Sequence, residues 1–172
     1  MVDERLESEE VQTINYSNRW VRVSLVLVSL LILAVFVVAT FVRPYQTDPI
    51  TGEYVLDEQN QRIPLRMGSH TSIGLGACRF KELFDIPCPS CGMTTSFAMF
   101  VRMDFVNALR ANWVGTLLAA ICLTLIPWGI LSAVRGKLLI VKSIEGPLAF
   151  LVGSLTVLML LRWGLILTLE FF

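Results

Sequence analysis

The chain has 172 residues, 14 basic and 14 acidic, so its formal net charge is zero. With no basic stripe, nucleic acid is excluded as a partner. It is 55% hydrophobic and 16% charged, against about 25% charged in soluble domains, and its length suits one domain rather than two independent cores. The apolar surplus sits in three runs, while polar residues gather at the N-terminus and in one large loop. That distribution predicts an all-α membrane protein of three transmembrane helices, with the lipid bilayer as the partner its composition demands.

Residues 1–19 form a polar, acidic N-terminus (Asp3, Glu4, Glu7, Glu9, Glu10). Residues 20–43 follow as the first span, whose centre, Val23 to Val42, is twenty residues without a charge. Such a stretch crosses ~30 Å of hydrocarbon at ~1.5 Å per residue. Trp20, Arg22 and Arg43 flank it as interfacial anchors. A cleaved signal peptide is the rival, but the acidic leader, the long apolar run and the missing small-x-small cleavage site favour an uncleaved anchor.

Residues 44–77 make a polar loop. Two extended pieces, Glu53–Leu56 and Arg62–Leu65, flank Asp57-Glu58-Gln59-Asn60 and predict a small hairpin. Residues 78–112 form a cysteine module. Cys88 and Cys91 make a C-x-x-C, Cys78 lies ten residues earlier, and His70 precedes them all. Cys122, within the second span, is a small buried hydrophobe.

Three chemistries could use these residues. A tight C-x-x-C turn supplies two thiolates, and Cys78 with His70 would complete a tetrahedral Cys₃His zinc site. Alternatively, Cys88-Pro89-Ser90-Cys91 precedes a stretch, Gly92 to Val101, that can form a short helix. The free amides and dipole of a helix N-terminus would then favour a thiolate for redox chemistry. The third reading needs no catalytic apparatus: in an oxidising compartment a disulfide staples the loop, leaving one thiol over. On the short helix, Phe97, Phe100 and Val101 share one face with Met93 nearby, which lays it at the interface or against the bundle. Asp104 then offers an N-cap for the helix that starts at Phe105 and dives into the bilayer.

The second and third spans are residues 113–134 and 147–169. Pro127 should kink the second unless neighbours satisfy the freed carbonyl, and Pro147 sits harmlessly in the first turn of the third. Gly115, Ala119 and Ala120 on one helix, with Gly153, Ser154 and Gly164 on the other, could permit close approach. Arg162 lies about 22 Å along the third span. It either snorkels to the headgroups, the reading favoured here, or reaches the cysteine loop to stabilise a thiolate or hold an anion. Between the spans, residues 135–146 carry Arg135, Lys137 and Lys142 against Glu145, a basic turn that the positive-inside rule puts in the cytoplasm. The N-terminus is then cytoplasmic and the cysteine loop outside; Arg19 and Arg22 agree, and Arg102 and Arg110 do not.

These residues resemble the bacterial membrane family known as domain of unknown function 2752. Its pattern is an upstream cysteine, then C-P-x-C-G-x-T, then an aspartate, an alanine and an asparagine. Here those positions are Cys78, Cys88, Pro89, Cys91, Gly92, Thr94, Asp104, Ala108 and Asn112. Thr95 stands where the family usually has an arginine, so that arginine's role is missing here or falls to Arg102 or Arg162. The resemblance implies a small multi-helix protein of the bacterial cytoplasmic membrane and brings no established activity. No nucleotide-binding loop, hydrolase triad or intramembrane acidic residue is present. The chain is therefore read as a structural or accessory subunit, a partner of other membrane proteins, with a loop fastened by cysteines. The alternative is a thiol-redox or zinc protein using Cys88 and Cys91.

Overall fold

The computed structural model describes residues 19–136 and 145–171. The acidic N-terminal segment and Lys137 and Lys142, which carry part of the orientation reading, lie outside the described residues. Among the described residues the chain forms α1 (Arg19–Phe41), a 3₁₀ turn (Ser69–Ile73), α2 (Arg79–Phe84), α3 (Met93–Val101), α4 (Phe105–Arg135) and α5 (Glu145–Phe171). Helices α1, α4 and α5 are each long and apolar enough to cross a membrane. Leu27, Leu31, Val38, Phe150 and Leu161 all point outward, where water would penalise them and lipid tails would not. A helix suits that solvent because it satisfies its own backbone groups.

The described residues group into two compact units, one from 34–121 with 153–171 and one from 19–33 with 122–136 and 145–152. In the second, the Ser29 hydroxyl donates to the Leu25 carbonyl at 2.8 Å, and Gly129 lies so close to Ser29 that a Cβ there would strike its hydroxyl. The first unit holds the loop and its cysteines.

The interruption expected at Pro127 falls elsewhere. The one non-helical residue inside α4 is Asn112 (φ −160°, ψ 101°), so α4 is two helices laid end to end. The side chain of Asn112 causes this: its Oδ1 accepts the Gly115 amide at 3.0 Å and caps the second helix. Of the small residues, Ala119 is fully buried against Ala39 and Phe97, and Gly115 abuts Ser96 and Met93 of α3. Gly153 and Gly164 face open space and bring no helix close.

The polar loop carries one extended piece more than expected. Antiparallel bridges join Leu56 to Arg62, Thr47 to Tyr54 and Tyr45 to Pro64, so three short pieces meander without forming a named strand among the described residues. Asp57 shapes the turn by accepting the Gln59 and Gln61 amides at 2.9 and 2.8 Å, and Arg62 stacks 4.4 Å over the Tyr54 ring. Tyr45 anchors the flap on Met99, Ala108 and Ala111. Its hydroxyl donates to Asp104 Oδ2 at 2.8 Å, and burial together with that carboxylate pushes the phenol up to about 12. Asp104 also caps α4, with Oδ1 accepting the Asn107 amide at 3.3 Å.

Helix α3 is buried from Thr95 through Met99 and packs on Phe36 and Ala39 of α1. At its end, Arg102 binds carbonyls of the chain. Nη1 donates to Ala98 and Ala39 at 2.7 and 3.3 Å, and Nη2 to Thr40 and Val42 at 2.9 and 2.8 Å. The last carbonyls of a helix have no intrahelical donors, and Arg102 supplies them for α1. Arg102→Met should therefore lower unfolding stability in detergent by at least about 2–3 kcal/mol, the contribution of a single hydrogen bond from a charged group being about 1.5–3. Denaturant titration of the purified protein measures it.

Candidate metal centre

Cys78, Cys88 and Cys91 come from two successive pieces of local structure, the start of α2 and the turn before α3. Cys78 is the N-cap of α2, with extended backbone (φ −64°, ψ 108°), and its carbonyl accepts the Glu82 amide at 3.0 Å. Pro89 follows Cys88, and the turn closes where the Cys91 amide meets the Cys88 carbonyl at 3.0 Å. That bend folds the second thiol back, so that the Cys88 amide donates to Cys91 Sγ at 3.2 Å. Gly92 then starts α3 in the left-handed region (φ 85°).

The three sulfurs converge. Cys88 Sγ and Cys91 Sγ are 3.1 Å apart, Cys91 Sγ and Cys78 Sγ 3.9 Å, and all three lie within 4.8 Å of one another. All four described cysteines, Cys122 included, are free thiols. Tetrahedral zinc with Zn–S bonds of ~2.3 Å spaces its sulfurs ~3.8 Å apart, and this cluster brackets that separation. It opens onto a cleft of about 490 Å³ lined also by His70, Thr71, Lys81, Ser90, Thr94 and Thr95. His70 shares the cleft but stands outside the group of three ligand atoms. The 3₁₀ turn fixes its place: Ser69 is buried and shares a 2.8 Å hydrogen bond with Thr95, and Ser72 accepts the Arg43 amide at 2.9 Å.

The two thiols of the C-x-x-C differ. Burial works to raise Cys88, but hydrogen bonds from Ser90, Cys91 and Cys78 outweigh it, and its pKa falls below the ordinary thiol value. Burial and the hydrogen bond to Cys88 push Cys91 up to about 12.

Residues on either side of the C-x-x-C and on α5 hold this turn from outside. Pro87 presents its carbonyl to Trp163 Nε1 at 2.7 Å, and Phe80 packs edge-on against the same indole, 6.3 Å between centroids. On the other side of the C-x-x-C, Asn112 Nδ2 donates to the Cys91 carbonyl at 3.2 Å. Arg162 does not snorkel. It is 6% exposed, its Nη2 donates to the Ala111 carbonyl at 2.9 Å, and it lies within electrostatic reach of Cys91 and Cys88. Thr94 lines the cleft, while Asp104 belongs to the α4 cap. Trp163, Ser69 and Tyr45 escaped the sequence reading. Only the tryptophan left a trace there, as an aromatic N–H beside the one charge of an apolar run.

Gly92 has no room to be anything else. A Cβ would lie 2.6 Å from the Ala111 carbonyl oxygen and 2.9 Å from that of Arg66, and both are backbone atoms. Gly92→Ala should cost more than about 2 kcal/mol, the left-handed conformation alone contributing about 1–2, and should lower the melting temperature of the purified protein.

No curated protein and no solved structure matches the chain. Over residues 78–126, from the first cysteine of the cluster into the second half of α4, the chain matches the model of a family described as protein of unknown function (DUF2752), which bears out the resemblance to that family.

Proposed function

We propose that this is a membrane-anchored accessory protein whose loop is fastened by one soft divalent cation, of the zinc class, held by Cys78, Cys88 and Cys91. The observation that carries the reading is the convergence of three sulfurs within 4.8 Å. A disulfide uses two sulfurs and gives the third no reason to join them. The fourth position opens to the cleft, where His70, solvent or a group from a partner membrane protein could complete the tetrahedron. The cation would tie α2 to the turn before α3, which is the fastening that a small loop lacking an apolar core needs.

In the orientation proposed here the cysteine loop is extracytoplasmic, at a bacterial cytoplasmic membrane, with the N-terminus inside. Arg22 and Arg135 stand at the opposite ends of their spans from the loop. Arg102, which counted against this orientation, is occupied with carbonyls of the chain.

A second reading rests on the unequal thiols. As a dithiol oxidoreductase, the Cys88 thiolate would attack a substrate disulfide and release one substrate thiolate. Cys91, losing its proton, would then attack Cys88 Sγ, leaving a Cys88–Cys91 disulfide and a fully reduced substrate.

Thiol counting with elemental analysis separates the two. The metal reading expects one zinc per chain, lost on Cys→Ser substitution at 78, 88 or 91 and retained on Cys122→Ser. Three further thiols should become reactive on adding chelator. Two thiols released only by reductant, in protein without metal, would refute it. Because thiols must lose protons to bind metal, affinity should rise with pH, and competition against a chromogenic chelator at several pH values checks the sign.

A further inference from the structure

Arg162 is a buried charge with one neutral partner. Its Nη2 donates to the Ala111 carbonyl at 2.9 Å, and its Nη1 is buried without a hydrogen-bond partner among the described residues. A cation placed in an apolar helix is costly, and a buried charge persists only when it is paired. No carboxylate among the described residues is close enough to bridge to it. The carbonyl it holds, that of Ala111, stands 2.6 Å from where a Cβ of Gly92 would lie, so the guanidinium is anchored beside the residue that follows Cys91. Three thiolates around a divalent cation carry one net negative charge, the complement of one guanidinium.

We propose that Arg162 is the built-in counter-ion of the cysteine centre: from α5 its guanidinium holds the Ala111 carbonyl with one amino group and balances the negative charge of the loaded site with the other. The assignment rests on the metal reading for the identity of that charge. Arg162 is a positioning residue, since it would act on the sulfurs rather than bind the cation. It also makes α5 part of the centre, although α5 contributes no ligand. A site balanced in this way selects a divalent cation. A monovalent one on three thiolates would leave two negative charges for one arginine.

The test uses the purified full chain in detergent, Co(II) as the probe and its thiolate charge-transfer absorption as the readout. Arg162→Gln should keep the melting profile of a folded protein and lose about ten- to hundredfold in Co(II) affinity, the usual cost of removing an outer-shell partner. Arg162→Lys should recover most of that loss. A folded Arg162→Gln protein with unchanged affinity would overturn the proposal. If the wild-type chain binds no Co(II), the metal reading fails by itself. The counter-ion is then judged on the rate of iodoacetamide alkylation at pH 7: a severalfold slower reaction in Arg162→Gln supports it and an equal rate overturns it. Should Arg162→Gln fail to fold, Arg162→Lys decides. Retained affinity in a folded protein supports the role of charge, and lost affinity overturns it.

Discussion

The carbonyl of Ala111 has no helical donor, because Asn112 leaves the helix and spends its side-chain oxygen on the Gly115 amide. In an unbroken helix that amide would have belonged to Ala111. Three features of the cysteine module depend on the exchange. The freed carbonyl is the acceptor for Arg162. The same oxygen stands over Gly92 and forbids a side chain there. The remaining face of the Asn112 amide reaches the Cys91 carbonyl. One residue thus ends one helix, starts another and sets the height of the C-x-x-C turn.

The cysteine turn is held through its backbone. Pro87 and Cys91 offer carbonyls on either side of the turn, and Trp163 and Asn112 supply N–H donors to them. Neutral hydrogen bonds of this kind contribute modestly to net stability, but leaving a buried carbonyl unpaired is expensive. The arrangement fixes position without competing for the sulfurs, which stay free to interact with one another, with Ser90 or with a ligand in the cleft.

Two charged residues of the module, Arg102 and Asp104, are likewise taken up by structural tasks. Arg102 closes the end of α1, and Asp104 joins the α4 cap to the Tyr45 flap. Neither is available to headgroups in the way that a count of charges at span ends assumes. The positive-inside rule weighs residues by their place in the sequence, and here the fold removes one of its opposing entrants from that balance.

The three spans were legible in the sequence because a helix makes its hydrogen bonds within four residues of itself and needs only a long enough apolar run. The hairpin turn at Asp57 and the C-x-x-C bend were legible for the same reason, since their determinants are neighbours. Tertiary structure decided the rest. Pro127 looked like the breaker, yet the helix departs at Asn112, whose side chain gains the Gly115 amide as donor and the Cys91 carbonyl as acceptor. Cys78 could be set beside the C-x-x-C by spacing alone, but that His70 shares the cleft without joining the three sulfurs was decided by the fold. Arg162 looked like a surface charge because its partner is a carbonyl on another helix, freed by a break that no local pattern records.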